Sequence, residues 1–217
     1  MPKATNNNME LWDRVSKTNP DYTKHVNMRG GFTAIDPHSQ IQSATEAFGP
    51  AGIAWGWEIL RVEYLPTGHV AQLIGLWHST EEKPGVQQWG QASMYVGGKT
   101  DRPDVDCMKK ATTDGLTKCL SYLGFNADVF LGKFDDSKYV ENVANEFQKK
   151  TDNACAGKAT IIIKNIKKTK TVDDLKKMKE NITPEFKMIN ADSPAQGNRI
   201  KQTLQAQMEK LKEGAAS

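Results

Sequence analysis

Three aspartates in "TDRPDVD", Asp101, Asp104 and Asp106, are the first residues of this sequence whose type and spacing suggest chemistry. Carboxylates this close together can chelate Mg²⁺, as in a nuclease. They also stand just before a helical pattern, where acidic side chains favour the positive end of the helix dipole. Helix capping is therefore the expected role. Just upstream, "YVGGKT" invites a phosphate-loop reading, but that pattern needs a glycine five residues before Gly98. Ser93 stands there, and Pro103 prevents an immediate helix. His25, His38, His69 and His78 lack zinc-like spacing, and no Ser/His/Asp arrangement can be read from the chain. Cys107, Cys119 and Cys155 are odd in number and form no CxxC pair. They read as reduced thiols of a cytoplasmic protein. No catalytic residue, metal or cofactor is expected, and the chain is not expected to be an enzyme.

Positive charge offers a different chemistry. The net charge of +3 is unevenly spread. Residues 1–140 carry 14 Lys and Arg against 16 Asp and Glu, or −2, and residues 141–217 carry 15 against 10, or +5. A balanced core with a basic tail hints at a polyanionic partner, against the plainer reading of a solvated lysine-rich surface. The stretch "KKATTDGLTKCLSYLGF" (109–125) sharpens the point. It has a helical apolar stripe with lysines on the other side, yet Gly115 sits in its middle.

These residues need elements to hold them. A chain of 217 residues with 38% hydrophobic content suits one good-sized domain plus an appendage. The N-terminus "MPKATNNNMELW" lacks the apolar run of a secretory signal, and "TIIIKNI" is too short to cross a membrane. "MELWDRVS" (9–16) reads as a short helix. "KTNPDYTKHVNMRGGF" (17–32) is broken by Pro20, Gly30 and Gly31, and reads as an exposed loop or short strand carrying Lys24, His25 and Arg29. Asp36 and Pro37 are the N-cap and first residue of a helix whose Ile41, Ala44 and Phe48 share a face, and Gly49 and Pro50 stop it. "GIAWGWEILRVEYL", "HVAQLIGLWHS" and "VQQWGQASMYVGG" read as three strands with short connections, hence antiparallel. Trp55, Trp57, Trp77 and Trp89 alternate with strand period, so core packing is their expected role. The stretch carrying Gly115 is then a helix over roughly 104–124. The fold class expected is α+β, an antiparallel β-β-β-α core with an N-terminal helix and a C-terminal helical tail. Residues 141–158 read as a linker or a solvated helix. In the tail, Thr171 and Asp174 resemble a capping box, and Ser193 and Pro194 open a last helix with Ile200, Leu204, Met208 and Leu211 on one face.

Two stretches, "HSQIQSATEAFGPAGIAWGWEI" (38–59) and "KKATTDGLTKCLSYLGF", frame that core. Together they resemble the Rad52-type single-strand annealing proteins, including their bacteriophage relatives, over about 36–130. The matching residues are Phe48-Gly49, Gly52 through Trp55, Thr113-Asp114-Gly115-Leu116, and Ser121 to Gly124. The resemblance implies a DNA-binding and oligomerisation core over 1–140, followed by a basic helical module over 159–217. It implies a homo-oligomeric ring or arc, or a filament, with single-stranded DNA in a basic groove along its outside. Gly115 would let its helix pack closely on the sheet. Lys118 sits where the family has a basic residue, while Thr117 and Ser121 stand where two other charges are absent. Lys99 and Arg102 fall in a loop that is also basic in the family, and Lys109 and Lys110 precede the motif. Lys24 and Arg29 are the candidates for replacement charges.

The function expected on this resemblance is ATP-independent binding and annealing of single-stranded DNA in homologous recombination, in the cytoplasm (of a bacterial host cell if phage-encoded). The alternatives are a passive single-strand coating protein and a metal-dependent nuclease using the three aspartates. The stripe on the tail's last helix either docks a partner, such as a host single-strand-binding protein or a recombination exonuclease, or closes a self-contained helical unit. No membrane partner is expected.

Overall fold

A computed structural model describes residues 9–27, 31–78 and 85–215. The chain divides into two compact units between Val143 and Ala144.

The first unit opens with α1 (Glu10–Val15) and a 3-10 turn at Pro20–Tyr22. The segment expected to be irregular then forms a hairpin of β1 (Thr23–Val26) and β2 (Phe32–Ile35). Its strands are four residues each, too short for an alternating pattern to announce them. Next is α2 (Pro37–Phe48), with the Asp36 side chain accepting from the His38 N–H at 3.2 Å. Gly49 ends it at φ 106°, a conformation that favours glycine. The main sheet follows as β3 (Trp55–Leu65), β4 (His69–His78) and β5 (Val86–Ser93), antiparallel, in the order β3-β4-β5. The chain is thus α+β around a three-stranded antiparallel sheet.

Helix α3 spans Cys107–Tyr122, starting later than its sequence pattern suggests. Asp104 is held by the preceding loop, its N–H donating to Met94 O at 2.8 Å and its carboxylate accepting from the Asp106 N–H at 3.0 Å. The helix presses on the sheet at two glycines. A methyl on Gly90 would collide with the Ala111 carbonyl and the Gly115 backbone, and one on Gly115 would collide with Ile74. The close approach expected of Gly115 is therefore present, and it gains over the ~1 kcal/mol that glycine costs within a helix. Ala44, Trp55, Ile74, Leu76, Leu116, Cys119, Leu120 and Phe125 form the core beneath. Each fully buried large apolar side chain contributes about 1.5–3 kcal/mol.

A short helix, α4 (Ala127–Phe130), carries the buried carboxylate of Asp128. That carboxylate accepts from the Thr18 N–H at 2.9 Å, Thr18 Oγ1 at 2.6 Å and Tyr139 Oη at 2.9 Å. The network ties the segment after α1 to a stretch more than a hundred residues away. Helix α5 (Ser137–Lys168) then runs through the unit boundary. Residues 141–158 lie within it, with Val143 and Cys155 buried.

In the second unit α5 is joined by α6 (Val172–Asp192) and α7 (Pro194–Ala215). Thr171 Oγ1 caps α6 by accepting from the Asp174 N–H at 3.1 Å. Cys155, Ala159, Ile162 and Ile166 of α5 meet Leu175 and Ile189 of α6 and Ile200 of α7. Leu204, Met208 and Leu211 pack against that cluster. The stripe on the last helix faces this cluster, with Ile200 buried and Leu204, Met208 and Leu211 half-buried against it.

Candidate nucleic-acid interface

Helix α3 lies over β4 and β5 and leaves most of β3 beyond its buried start at Trp55 and Gly56 exposed. The strand register shows which side chains this bares. Trp57 lies opposite Leu76, Ile59 opposite Ile74, Val62 opposite Gln72 and Tyr64 opposite Val70. Directly paired residues of antiparallel strands share a face. The β4 partners are all buried at 1% exposure or less, whereas Trp57, Ile59, Val62 and Tyr64 are exposed by 37–68%. The inner face of the sheet is therefore closed on β4 and open on β3. Floored by this row and walled by α3, the open part is a trough.

A β-bulge shapes that row. The β3–β4 register slips between Ile59 and Arg61, leaving Leu60 unpaired. One extra residue inverts which side chains face inward. Trp57 and Ile59 lie inward before the slip, and Val62 and Tyr64 after it. Arg61 and Glu63, which strict alternation would turn inward, pair with each other at 2.5 Å on the outer face. The trough is thus wholly apolar and aromatic along its floor. Its wall includes Met108, itself 36% exposed. Lys109, Thr113, Leu116 and Leu120 follow helical i, i+4, i+7, i+11 spacing, which places Lys109 on the flank that faces β3.

Four of the seven candidate basic residues gather at the N-terminal end of α3. Lys99 and Arg102 sit in a tight loop where the Lys99 N–H donates to Val96 O at 3.3 Å and the Arg102 N–H to Lys99 O at 3.0 Å. Lys109 pairs with Asp106 at 2.9 Å, and Lys110 with Asp104 at 2.5 Å. With Asp101 included, four cations meet three carboxylates, a local excess of +1. The Lys110 hydrogen bond, followed by the Asp106 N–H, holds the Asp104 carboxyl below its ordinary value. The same bond holds Lys110 above its ordinary value. The pair therefore persists at neutral pH. It is lost as pH falls through the lowered Asp104 value or rises through the raised Lys110 value. Asp104 and Asp106 are thus engaged by the loop backbone and by Lys110 and Lys109. Among the described residues no group of three or more His, Cys, Asp or Glu is placed to hold a metal ion.

Lys118 lies apart from this group. Lys118 is on the β5 flank of α3, where its ammonium donates to Asp114 at 2.7 Å and to Trp89 O at 3.2 Å. Asp114 also accepts from the Gln91 N–H at 2.9 Å. Asp114 and Lys118 thereby latch α3 to the edge strand β5 and occupy one of its free backbone donors. The Thr113-Asp114-Gly115-Leu116 motif gains a structural account: Asp114 caps the sheet edge, Gly115 permits close approach and Leu116 fills the core. Lys24 is exposed on β1. Arg29 lies outside the described residues.

Sequence reasoning missed the trough residues. It treated the tryptophans as core, which holds for Trp55 at 0% exposure and fails for Trp57 and Trp89 at 37% and 40%. Period alone tells which face a side chain shares, not whether a helix covers that face. No protein-family model matches the chain, and no curated protein matches it. Among the described residues no helix is long and apolar enough to cross a membrane.

Proposed function

We propose that this chain binds single-stranded DNA along the β3–α3 trough and anneals complementary strands without ATP, as a homo-oligomer acting in homologous recombination. The observation that carries the reading is the inner sheet face left open on β3, an aromatic and aliphatic floor with four cationic side chains at one end. The resemblance of residues 38–59 and 109–125 to Rad52-type annealing proteins supports it.

The chemistry needs no covalent step. Bases stack on aromatic side chains for roughly 1–3 kcal/mol each, regardless of sequence. Trp57 and Tyr64 offer two such surfaces on one face. Phosphates release counterions when they meet Lys99, Arg102, Lys109 and Lys110. Exposed ion pairs such as Lys109–Asp106 are weak in water, so a phosphate can take the place of the carboxylate. Pairing with a second strand then supplies about 1.4 kcal/mol per stacked step, enough to drive the exchange without a nucleotide. Side-by-side copies would extend one short trough into a continuous track.

The test is annealing of complementary oligonucleotides, one carrying a fluorophore and the other a quencher, with no nucleotide present. Accelerated quenching over the protein-free rate is expected. Binding accompanied by slower annealing would identify a coating protein instead, and cleavage of labelled strands in Mg²⁺ a nuclease.

A further inference from the structure

A recess of about 110 Å³ opens between α2, α3 and the start of β3. Trp57 forms one side, Thr113 and Thr117 another, and His38 and Gln40 a third. An apolar cavity of ~150 Å³ encloses a benzene ring, so this smaller, open recess takes the edge of a single ring and not two rings. Trp57 belongs to both the recess and the trough floor, which makes the recess the head of the trough.

Gln40 is the unusual wall residue. It is 1% exposed, and among the described residues neither its amide oxygen nor its amide nitrogen has a hydrogen-bond partner. Buried amides are almost always paired, because leaving both groups unpaired forfeits the bonds that water would make. Gln40 therefore stands beside the recess with a donor and an acceptor to offer.

We propose that the recess holds one nucleobase of the bound strand, stacked on Trp57, with its edge hydrogen-bonded to the Gln40 amide after a turn about that side chain's own torsions. The inference rests on the single-strand reading above. An amide presents one donor beside one acceptor, and so do edges of adenine, cytosine, guanine and thymine. By reversing its amide, Gln40 can serve any of them, so the site grips a strand without selecting its sequence. One parked base per protomer anchors the strand while its neighbours stay free to pair. A base stacked and paired within a duplex cannot turn out onto Trp57, so annealed product is released.

The experiment uses the full chain and two oligomers of equal length and charge, one of thymidylate and one of abasic tetrahydrofuran units. Wild type is expected to bind the thymidylate oligomer at least about tenfold more tightly. Gln40→Met should bring thymidylate affinity toward the abasic value, leave abasic affinity within about twofold, and raise the thermal midpoint, because an unpaired buried amide is removed. Trp57→Leu should likewise narrow the preference. Equal wild-type affinity for the two oligomers overturns the recess while leaving single-strand binding intact. A preference undiminished in Gln40→Met overturns it too, as does a lowered midpoint, which would mean that the amide is already satisfied by water or protein. If neither oligomer binds, the single-strand reading fails first and the recess with it.

Discussion

The two units of this protein treat apolar surface in opposite ways. In the helical unit, Ala159, Ile162 and Ile166 of α5, Leu175 and Ile189 of α6, and Ile200 of α7 all find partners within the same cluster. In the sheet unit, α3 covers β4 and β5 and leaves Trp57, Ile59, Val62 and Tyr64 of β3 bare. Exposed apolar side chains scattered singly need no account, but a row on one face of an edge strand does. The contrast locates binding chemistry in the sheet unit, although the helical unit carries more of the positive charge. Net charge is a guide to long-range attraction, and the shape of the uncovered surface is the guide to where a ligand sits.

Glycine substitutions break this comparison most sharply. Gly90→Ala forces a methyl against the Ala111 carbonyl and the Gly115 backbone, neither of which can yield without moving α3. A loss of about 3 kcal/mol in urea unfolding is expected. Gly157, in the middle of α5, has nothing within 4 Å of where its Cβ would be. Gly157→Ala should therefore stabilise the helical unit by up to ~1 kcal/mol. Equal effects at the two sites would show that α3 does not press on the sheet as described.

The paired substitution Ile59→Ser with Val62→Ser separates binding from stability. Both side chains are already substantially exposed, at 49% and 39%. Unfolding free energy should change by no more than about 0.5 kcal/mol per site. Affinity for single-stranded DNA should fall roughly tenfold, as measured by fluorescence anisotropy. A matching pair on the helical unit, Ile161→Ser with Met188→Ser, both 63% exposed, should leave DNA affinity unchanged.

The smallest effect concerns the thiols. Burial raises the Cys119 pKa to about 11, and Cys155 is also buried, one in each unit. Near pH 8 a thiol reagent should modify half-buried Cys107 in the native protein and reach the other two only on unfolding. Rapid native labelling of Cys119 would show the sheet core to be open.

Much of this architecture is legible in the residues themselves. Asp36-Pro37 and Gly49 bound α2 because capping is local chemistry, and Thr171 marks α6 for the same reason. The three strands follow from alternation and short turns. The bulge at Leu60 was not legible, since one extra residue changes no composition yet inverts every side chain after it. Nor was the pairing of Lys110 with Asp104, which depends on how the 94–106 loop folds back, whereas Lys109–Asp106 and Lys118–Asp114 follow helical spacing. Trp57 shows the general difficulty. Its type and period match those of Trp55, and packing against Phe48 of α2 is what buries the latter.

Amide hydrogen exchange with and without a thymidylate oligomer tests the central claim directly. Slowed exchange is expected along β3 and from the 94–106 loop into the first turns of α3, with residues 144–217 unchanged. Protection confined to the helical unit, with β3 exchanging as freely as before, would contradict the account.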